Sequence, residues 1–229
     1  MEHHRRFAIY WAPEPGPLAD FTAAWLGWDA ARGAERPHPD VANLPRPVAE
    51  LTETPRKYGF HGTLKAPFRL ADGTTAQGLD RAVADLAGRT APVTLDGLKL
   101  AALGRFLAMV PDGPAEGLNR LAATLVTELD TFRAPLTAED LIRRRAAELP
   151  DRQREMLERY GYPYVMEEFR FHLTMTGPLD PEAAEATRRA LAPVMTPLLP
   201  RPFHIGSVCL FGEGEDGRFR NLHRYTLSG

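Results

Sequence analysis

The sequence has almost no cysteine and no long apolar run. Cys209 is the only cysteine among 229 residues, which excludes a disulfide within the chain and is the usage expected in a reducing cytoplasm. Residues 1–16 carry basic residues and then prolines, without the apolar region of a secretory signal peptide. No apolar run approaches the about 20 residues that a membrane-spanning helix requires. We therefore expect a cytoplasmic protein with no membrane partner.

A strong charge of either sign is also missing. The chain has 28 Lys and Arg residues against 30 Asp and Glu residues, a formal net charge of −2. Proteins that bind long nucleic acid usually present a basic face, so long nucleic acid is not the expected partner. A small phosphorylated substrate needs only a local group of cations, which the net charge does not reveal.

Motifs for metal or nucleotide chemistry are missing as well. The sequence contains no HExxH, no CxxC and no acidic cluster with the spacing of metal ligands, so we expect no metal. It contains no Walker-type glycine loop, and the glycine-rich residues 213–217 are not followed by a predicted helix. The sequence gives no indication of a cofactor.

The apolar pattern that is present predicts a chain of alternating strands and helices. Apolar residues at helical spacing predict helices over residues 18–31, 76–88 and 114–132. Strand-like runs lie before, between and after these helices, and the last two flank a glycine-rich turn. The size allows one large domain or two closely packed lobes. Mixed antiparallel pairing with helices packed on the sheet corresponds to the α+β class.

A charged helical segment is predicted over residues 137–161, beginning at Thr137 with Asp140 as its capping partner. Its run of three arginines, Arg143–Arg145, could hold a second phosphate group of a substrate. At helical spacing, however, only part of the run can face one direction, so a solvated face is the favoured interpretation.

One predicted strand carries polar residues where apolar ones are expected. Residues 57–68 read KYGFHGTLKAPF. Because residues i and i+2 of a strand share a face, His61, Thr63 and Lys65 are predicted to point in one direction. Phe60, Gly62 and Leu64 then point to the core.

A second strand repeats this pattern. Residues 169–177 read FRFHLTMTG, which places Arg170, His172 and Thr174 on one face and apolar residues on the other. A histidine in either strand alone would more often be a structural residue. The recurrence of histidine, hydroxyl and cation in both halves of the chain favours a functional interpretation.

This arrangement suits phosphate chemistry. A buried polar face costs free energy unless it is satisfied, and a phosphate group would satisfy it. The hydroxyls can donate to phosphate oxygens, and histidine exchanges protons near neutral pH. If the two strands are neighbours, one histidine deprotonates the nucleophile and the other protonates the departing oxygen. The sequence does not indicate which histidine takes which role.

The HGTL and HLTM strings resemble the signature of the two-histidine (2H) phosphoesterase superfamily, histidine–apolar–threonine–apolar, with Gly62 in one apolar position. Over essentially its whole length the chain also resembles a family associated with phosphonate metabolism, the DUF1045 family. The resemblance implies a single bilobal α+β domain over residues 1–229, with pseudo-twofold symmetry. It implies two antiparallel-rich sheets facing a central cleft, with helices on the outside.

The same resemblance implies an enzyme, a hydrolase that opens a cyclic phosphodiester without a metal. For the phosphonate-related family the implied substrate is a 5-phosphoribosyl 1,2-cyclic phosphate. The predicted catalytic residues are His61, Thr63, His172 and Thr174.

Four further residues are predicted to bind substrate because they lie close to the two motifs: Lys65, Arg170, Tyr58 and Lys57. Of these, Lys65 and Arg170 also share strand parity with the histidines. Tyr58 has the opposite parity and reaches the ligand only if the chain bends.

Two alternatives remain open at this stage. An enzyme acting on nucleoside 2′,3′-cyclic phosphates or RNA ends would require an aromatic residue lining the cleft, on which a base could stack. A phosphate-binding module without turnover would not need two proton-transfer residues, so the two histidines argue against it.

Overall fold

The computed structural model of the chain describes residues 4–144 and 146–229. In this part the strands are β1 Phe7–Trp11, β2 Trp28–Asp29, β3 Ala34–Glu35, β4 Gly62–Phe68, β5 Val93–Leu95, β6 Leu98–Leu103, β7 Phe106–Pro111, β8 Leu173–Thr174, β9 Phe203–Ile205, β10 Ser207–Glu213 and β11 Phe219–Thr226. The α-helices are α1 Pro17–Leu26, α2 Val48–Leu51, α3 Glu53–Arg56, α4 Ala76–Gly88, α5 Glu116–Glu128, α6 Ala138–Arg143, α7 Asp151–Tyr160 and α8 Pro181–Met195. Short 3-10 helices lie at Asp130–Phe132, Ala146–Glu148, Met166–Glu168 and Thr196–Leu198.

Seven of these strands form one antiparallel sheet, in the order β11-β10-β1-β4-β8-β7-β6. The first four strands and the last three meet where β4 pairs with β8, with Gly62 opposite Leu173. The predicted α+β class is confirmed. The two sheets that the resemblance implied are continuous through this one pair.

The main core lies between the helices and one face of this sheet. Leu79, Val83 and Leu86 of α4 are buried in it at the predicted helical spacing. In β1 the alternate residues Phe7, Ile9 and Trp11 face this core. The other face of β1, with Tyr10, packs against a smaller aromatic group on β10 and β11. Strand alternation therefore assigns one face of β1 to the core and leaves the other for the candidate site.

The first helix is shorter than predicted. It ends at Leu26 because Gly27 adopts a left-handed conformation, a common helix terminator. Trp28 was predicted to lie on the helix but belongs to β2, where its indole Nε1 donates a hydrogen bond to the Phe219 carbonyl at 2.8 Å. No described helix is both long and apolar enough to cross a bilayer.

The charged segment over residues 137–161 forms α6 and α7. The capping pair at its start is confirmed, since Thr137 and Asp140 exchange hydrogen bonds between side chain and backbone N–H. Asp140 also accepts a hydrogen bond from Arg69 at 2.9 Å, which ties the segment to the chain just after β4. Arg145 and the side chain of Arg143 lie outside the described residues.

Candidate active site

His61 lies immediately before β4 and lines an open cavity of about 340 Å³. Its Nδ1 lies 2.9 Å from the carbonyl oxygen of Gly59. Because a carbonyl only accepts hydrogen bonds, Nδ1 is the donor, and in the neutral ring Nε2 keeps its lone pair. The ring stacks on Tyr10 with centroids 3.9 Å apart. The backbone and an aromatic residue thus fix both the tautomer and the orientation of His61.

His172 is held in the same way from the other part of the sheet. Its Nδ1 donates to the carbonyl of Arg170 at 2.8 Å, again two residues earlier in the chain. Its ring packs against Phe106 of β7, with centroids 5.7 Å apart. In both histidines the backbone therefore fixes Nδ1 as the donor, and Nε2 of the neutral ring is the nitrogen that can accept a proton.

The strand register brings the two motifs together. Gly62 pairs with Leu173 in an antiparallel ladder, so one step along each strand places His61 opposite Thr174 and Thr63 opposite His172. Residues opposite one another share a face, with Cβ atoms about 5 Å apart. Thr63 and Thr174 line the same cavity as His61. The structure therefore brings together all four predicted catalytic residues as two crossed pairs.

The electrostatic environment favours a neutral His61. The pKa of His61 is lowered from 6.5 to about 4, chiefly by burial; the hydrogen bond to Gly59 opposes this shift and the nearby His172 adds to it. Since desolvation penalises the charged ring, His61 carries no charge near pH 7. A neutral imidazole with Nε2 unprotonated is a proton acceptor.

Gly62, the departure from the apolar pattern, is explained by Phe171. A Cβ at Gly62 would overlap the Phe171 ring. Phe171 itself is buried in the main core, 4% exposed. A side chain from the second motif therefore fills the apolar position that is empty in the first.

Lys65 does not share a face with His61 and Thr63, so this expectation is wrong. Thr63 lies opposite Tyr10, but Lys65 lies opposite Ile9, which faces the main core. This irregular register between β4 and β1 reverses the alternation after Thr63.

The Lys65 side chain is 3% exposed, and its Nζ donates to the Val126 carbonyl in α5 at 2.9 Å and to Asp130 in the following 3-10 helix at 3.3 Å. Burial lowers its pKa to about 8, against the opposing effect of Asp130. Its position is that of a buried ion pair.

The other three predicted substrate-binding residues differ in position. Tyr58 lines the cavity, because the chain turns at Gly59 between it and His61. Lys57 is exposed, with its Nζ 5.0 Å from the centre of the Tyr58 ring. Arg170 is exposed and donates to the carbonyls of Glu167 and Phe169. Neither of these two cations lines the cavity.

Sequence reasoning missed several cavity residues. Arg6, Thr54 and Tyr162 line the cavity, and none of them belongs to a recognisable motif. Arg6 immediately precedes β1, and its Nε and Nη2 donate to the two carboxylate oxygens of Glu213 at 2.6 and 2.7 Å. Arg144 also lines the cavity, whereas the arginine run was interpreted as a solvated face. In the described residues no three His, Cys, Asp or Glu side chains group as metal ligands.

Curated relatives of the chain are longer proteins. The chain is 38% identical over 180 residues to the ribose 1,5-bisphosphate phosphokinase PhnN of Janthinobacterium sp. (strain Marseille), covering 78% of this chain and 40% of that protein. It is 34% identical over 176 residues to the protein of the same name from Laribacter hongkongensis, covering 76% and 40%. The chain thus spans 40% of the length of these relatives.

Solved structures similar to the chain include Escherichia coli LigT complexed with NADP+, with a TM-score of 0.46, 16% identity and 99% of both chains covered. The complex of LigT with 3′-AMP gives the same TM-score at 15% identity, again covering 99% of both chains.

One family model matches more than half of the chain. It is described as a protein of unknown function (DUF1045), and it matches residues 63–220, from Thr63 in the first motif to the start of β11. The match includes the whole second motif and the charged segment. The chain therefore belongs to the DUF1045 family.

Proposed function

We propose that the chain is a two-histidine phosphodiesterase that opens a cyclic phosphodiester without a metal ion. The observation that carries this proposal is the matched placement of His61 and His172. Each lies immediately before one of two neighbouring strands, with Nδ1 donating to a carbonyl two residues earlier and Nε2 left to exchange a proton. Simple phosphate binding would not need two such proton-transfer groups, which argues against a non-catalytic binding module.

In the proposed reaction His61 is the general base and His172 the general acid. His61 takes a proton at Nε2 from water as the water oxygen bonds to phosphorus. The bond from phosphorus to the ring ester oxygen breaks, and protonated His172 donates a proton to that oxygen. The product is a phosphate monoester, and the histidines return to their starting states by proton exchange with solvent. The lowered pKa of His61 supports its assignment as the base.

The two threonines are placed to stabilise the charge that develops on the phosphate. Thr63 and Thr174 line the cavity from opposite strands, on the face that carries the histidines. Their hydroxyls can donate to the non-bridging oxygens, whose negative charge increases as the nucleophile attacks. Each threonine lies opposite the histidine of the other motif, so each step uses residues from both motifs.

The proposed substrate is a 5-phosphoribosyl 1,2-cyclic phosphate. Breaking its bond from phosphorus to O2 leaves the phosphate on O1, which gives ribose 1,5-bisphosphate. The curated relatives are, by their name, kinases of ribose 1,5-bisphosphate. The chain lacks a Walker-type loop, so we assign the kinase activity to the rest of those longer proteins. A phosphodiesterase that supplies the kinase substrate is consistent with their occurrence in one polypeptide.

A specific observation also favours a second substrate class, the nucleoside 2′,3′-cyclic phosphates. Tyr58 and Tyr162 line the cavity, and aromatic rings at such positions are the residues on which a base stacks. Such a substrate would use the same histidines and threonines.

The test is a comparison of cyclic phosphates as substrates in the presence of EDTA. We expect 5-phosphoribosyl 1,2-cyclic phosphate to be opened to ribose 1,5-bisphosphate with a higher kcat/KM than any nucleoside 2′,3′-cyclic phosphate. The reverse order would support the nucleotide alternative. Activity lost in EDTA and restored by a divalent ion would contradict the metal-independent mechanism.

A further inference from the structure

A second cavity, of about 290 Å³, opens beside the catalytic one. We call it the arginine pocket, defined by the arginines that line it: Arg5, Arg6, Arg69, Arg133 and Arg144. Two carboxylates, Asp140 and Glu213, also line it, so arginines outnumber carboxylates in the lining by five to two. The whole chain has a net charge of −2. The arginine pocket is therefore richer in positive charge than the chain as a whole.

The arginine pocket is continuous with the catalytic cavity. Arg6, Pro67 and Arg144 line both. Along β4, Thr63 lies in the catalytic cavity and Pro67 lies where the two cavities meet. Four residues of strand span about 13 Å. Because Arg6 and Arg144 line both cavities, a ligand need not span that whole distance to contact them. A small ligand with two phosphate groups can thus contact both cavities at once.

Carboxylates hold three of the five guanidinium groups in place, those of Arg6, Arg69 and Arg133. Glu213 holds Arg6 through two hydrogen bonds, and Asp140 holds Arg69 at 2.9 Å. Asp130, outside the pocket lining, accepts from Arg133 at 2.8 and 2.9 Å. Each guanidinium has five N–H donors, and a carboxylate engages at most two of them directly. Arg69 and Arg133 also donate to backbone carbonyls, Arg69 to that of Pro135 and Arg133 to those of Ala134 and Arg159. The donors that are still left on these groups are oriented and can bind phosphate oxygens.

Arg144 connects this pocket to the charged segment. It follows α6, and its guanidinium carbon lies 5.3 Å from the centre of the Tyr162 ring. The segment is tied to the chain after β4 by the ion pair between Asp140 and Arg69. The segment therefore places one arginine at the junction of the two cavities.

We propose that the arginine pocket binds a second phosphate group of the substrate and selects cyclic phosphates that carry one. This inference rests on the proposed phosphodiesterase function. The substrate class is a cyclic phosphate whose sugar bears a further phosphate monoester. A doubly charged monoester suits a lining in which arginines outnumber carboxylates, and Arg6 and Arg144 line both this pocket and the catalytic cavity.

The first experiment measures kcat/KM for 5-phosphoribosyl 1,2-cyclic phosphate and for ribose 1,2-cyclic phosphate, which lacks the 5-phosphate. We expect the wild-type protein to prefer the phosphorylated substrate by about 100-fold, and Arg144→Ala to reduce that ratio by at least about 10-fold. Arg189→Ala, which removes an arginine that is 72% exposed on α8, serves as the matched control and should keep the ratio. Equal kcat/KM for both substrates would overturn the pocket assignment and leave the phosphodiesterase proposal intact.

The second experiment does not depend on turnover. Ribose 5-phosphate is titrated calorimetrically into the wild-type protein and into the Arg144→Ala, Arg5→Ala and His61→Gln variants, each checked for folding by thermal unfolding. We expect the two arginine variants to raise Kd by about 10-fold, and His61→Gln to change it far less. An unchanged Kd in both arginine variants would overturn the inference. Normal binding without hydrolysis of any cyclic phosphate would instead overturn the proposed function and retain the pocket.

Discussion

The Phe171 ring lies directly over Gly62, so that each motif supplies part of the packing of the other. Gly62→Ala forces the ring to move, and overpacking of a core site typically costs about 1–3 kcal/mol. We expect a loss of that size in the free energy of unfolding, with a lower kcat because the two histidines shift apart. Urea denaturation of both proteins measures the first effect.

The matched control for this change is Gly206→Ala. A Cβ at Gly206 would have no heavy atom within 4 Å, and its φ is not in the left-handed region. This variant should stay within about 0.5 kcal/mol of the wild-type protein. A Gly62→Ala variant that is equally stable would show that the Phe171 ring moves aside without cost.

Because the proposed mechanism needs both histidines, substitutions in the two motifs should reduce kcat to a similar extent. His61→Gln and His172→Gln should each lower kcat by about 100-fold or more, because each removes one proton-transfer group. Thr63→Val and Thr174→Val should lower kcat while leaving both histidines in place, since each removes a hydroxyl donor. Steady-state kinetics with a cyclic phosphate and far-ultraviolet circular dichroism separate loss of chemistry from loss of fold. Full activity in either histidine variant would contradict the two-histidine mechanism.

The low pKa of His61 predicts the acid limb of the pH profile. A general base must be unprotonated, and the pKa of His61 is lowered to about 4, chiefly by burial. The decrease in kcat/KM that protonation of the base causes should therefore be centred near pH 4, well below the ordinary histidine pKa of about 6.5. A pH–rate profile on a cyclic phosphate measures it. An acid limb near pH 6.5 would exchange the roles assigned to His61 and His172.

The same shift predicts how stability depends on pH. The folded-state pKa of His61 lies below the unfolded one, so the unfolded chain takes up the proton first as the pH falls. The contribution of neutral His61 to the free energy of unfolding is fully present above pH 6.5. It is lost as the pH falls to about 4, which lowers the free energy of unfolding by up to about 3 kcal/mol. Urea denaturation between pH 4 and 7 should show a smaller loss in His61→Gln, which cannot titrate there. If the free energy of unfolding fell equally with pH in the wild-type and His61→Gln proteins, the lowered pKa of His61 would be contradicted.

Lys65 offers a test of the register between β1 and β4. Its Nζ contacts Val126 and Asp130, so Lys65→Met should leave kcat/KM within about 3-fold of the wild-type value. The Val126 carbonyl loses its donor, whereas Asp130 keeps Arg133, and we expect a cost of about 1–3 kcal/mol in the free energy of unfolding. A large loss of activity in a folded Lys65→Met variant would place Lys65 at the substrate after all.

Local patterns predicted most of the elements and the central residues of the site. The α4 helix follows from its apolar spacing and has the predicted bounds, Ala76–Gly88. The two histidine motifs follow from strand alternation, because that rule holds up to Thr63 and through the second motif. It fails at Lys65, where the register of one strand against its neighbour changes, and no pattern within one strand encodes such a change.

The arginine pocket was equally hidden from sequence reasoning. Its five arginines come from the start of β1, the end of β4, the chain after α5 and the charged segment. None of these positions is part of a motif, and only tertiary packing brings them together. Arg144 belonged to a visible run, but its direction depends on how the charged segment docks through Asp140 and Arg69.

The brevity of the contact between β4 and β8 has a kinetic consequence. The proposed base and acid belong to parts of the sheet that share one registered backbone pair, Gly62 and Leu173. Local opening of the sheet between β4 and β8 would separate the two histidines, while the other strands of each part stayed hydrogen-bonded. Amide hydrogen exchange at Leu173 should then be faster than at Leu210 in the middle of β10. A phosphate bound across β4 and β8 should slow the exchange at Leu173. On the proposed function, a substrate bound across β4 and β8 would therefore stabilise the relative position of the two histidines that act on it.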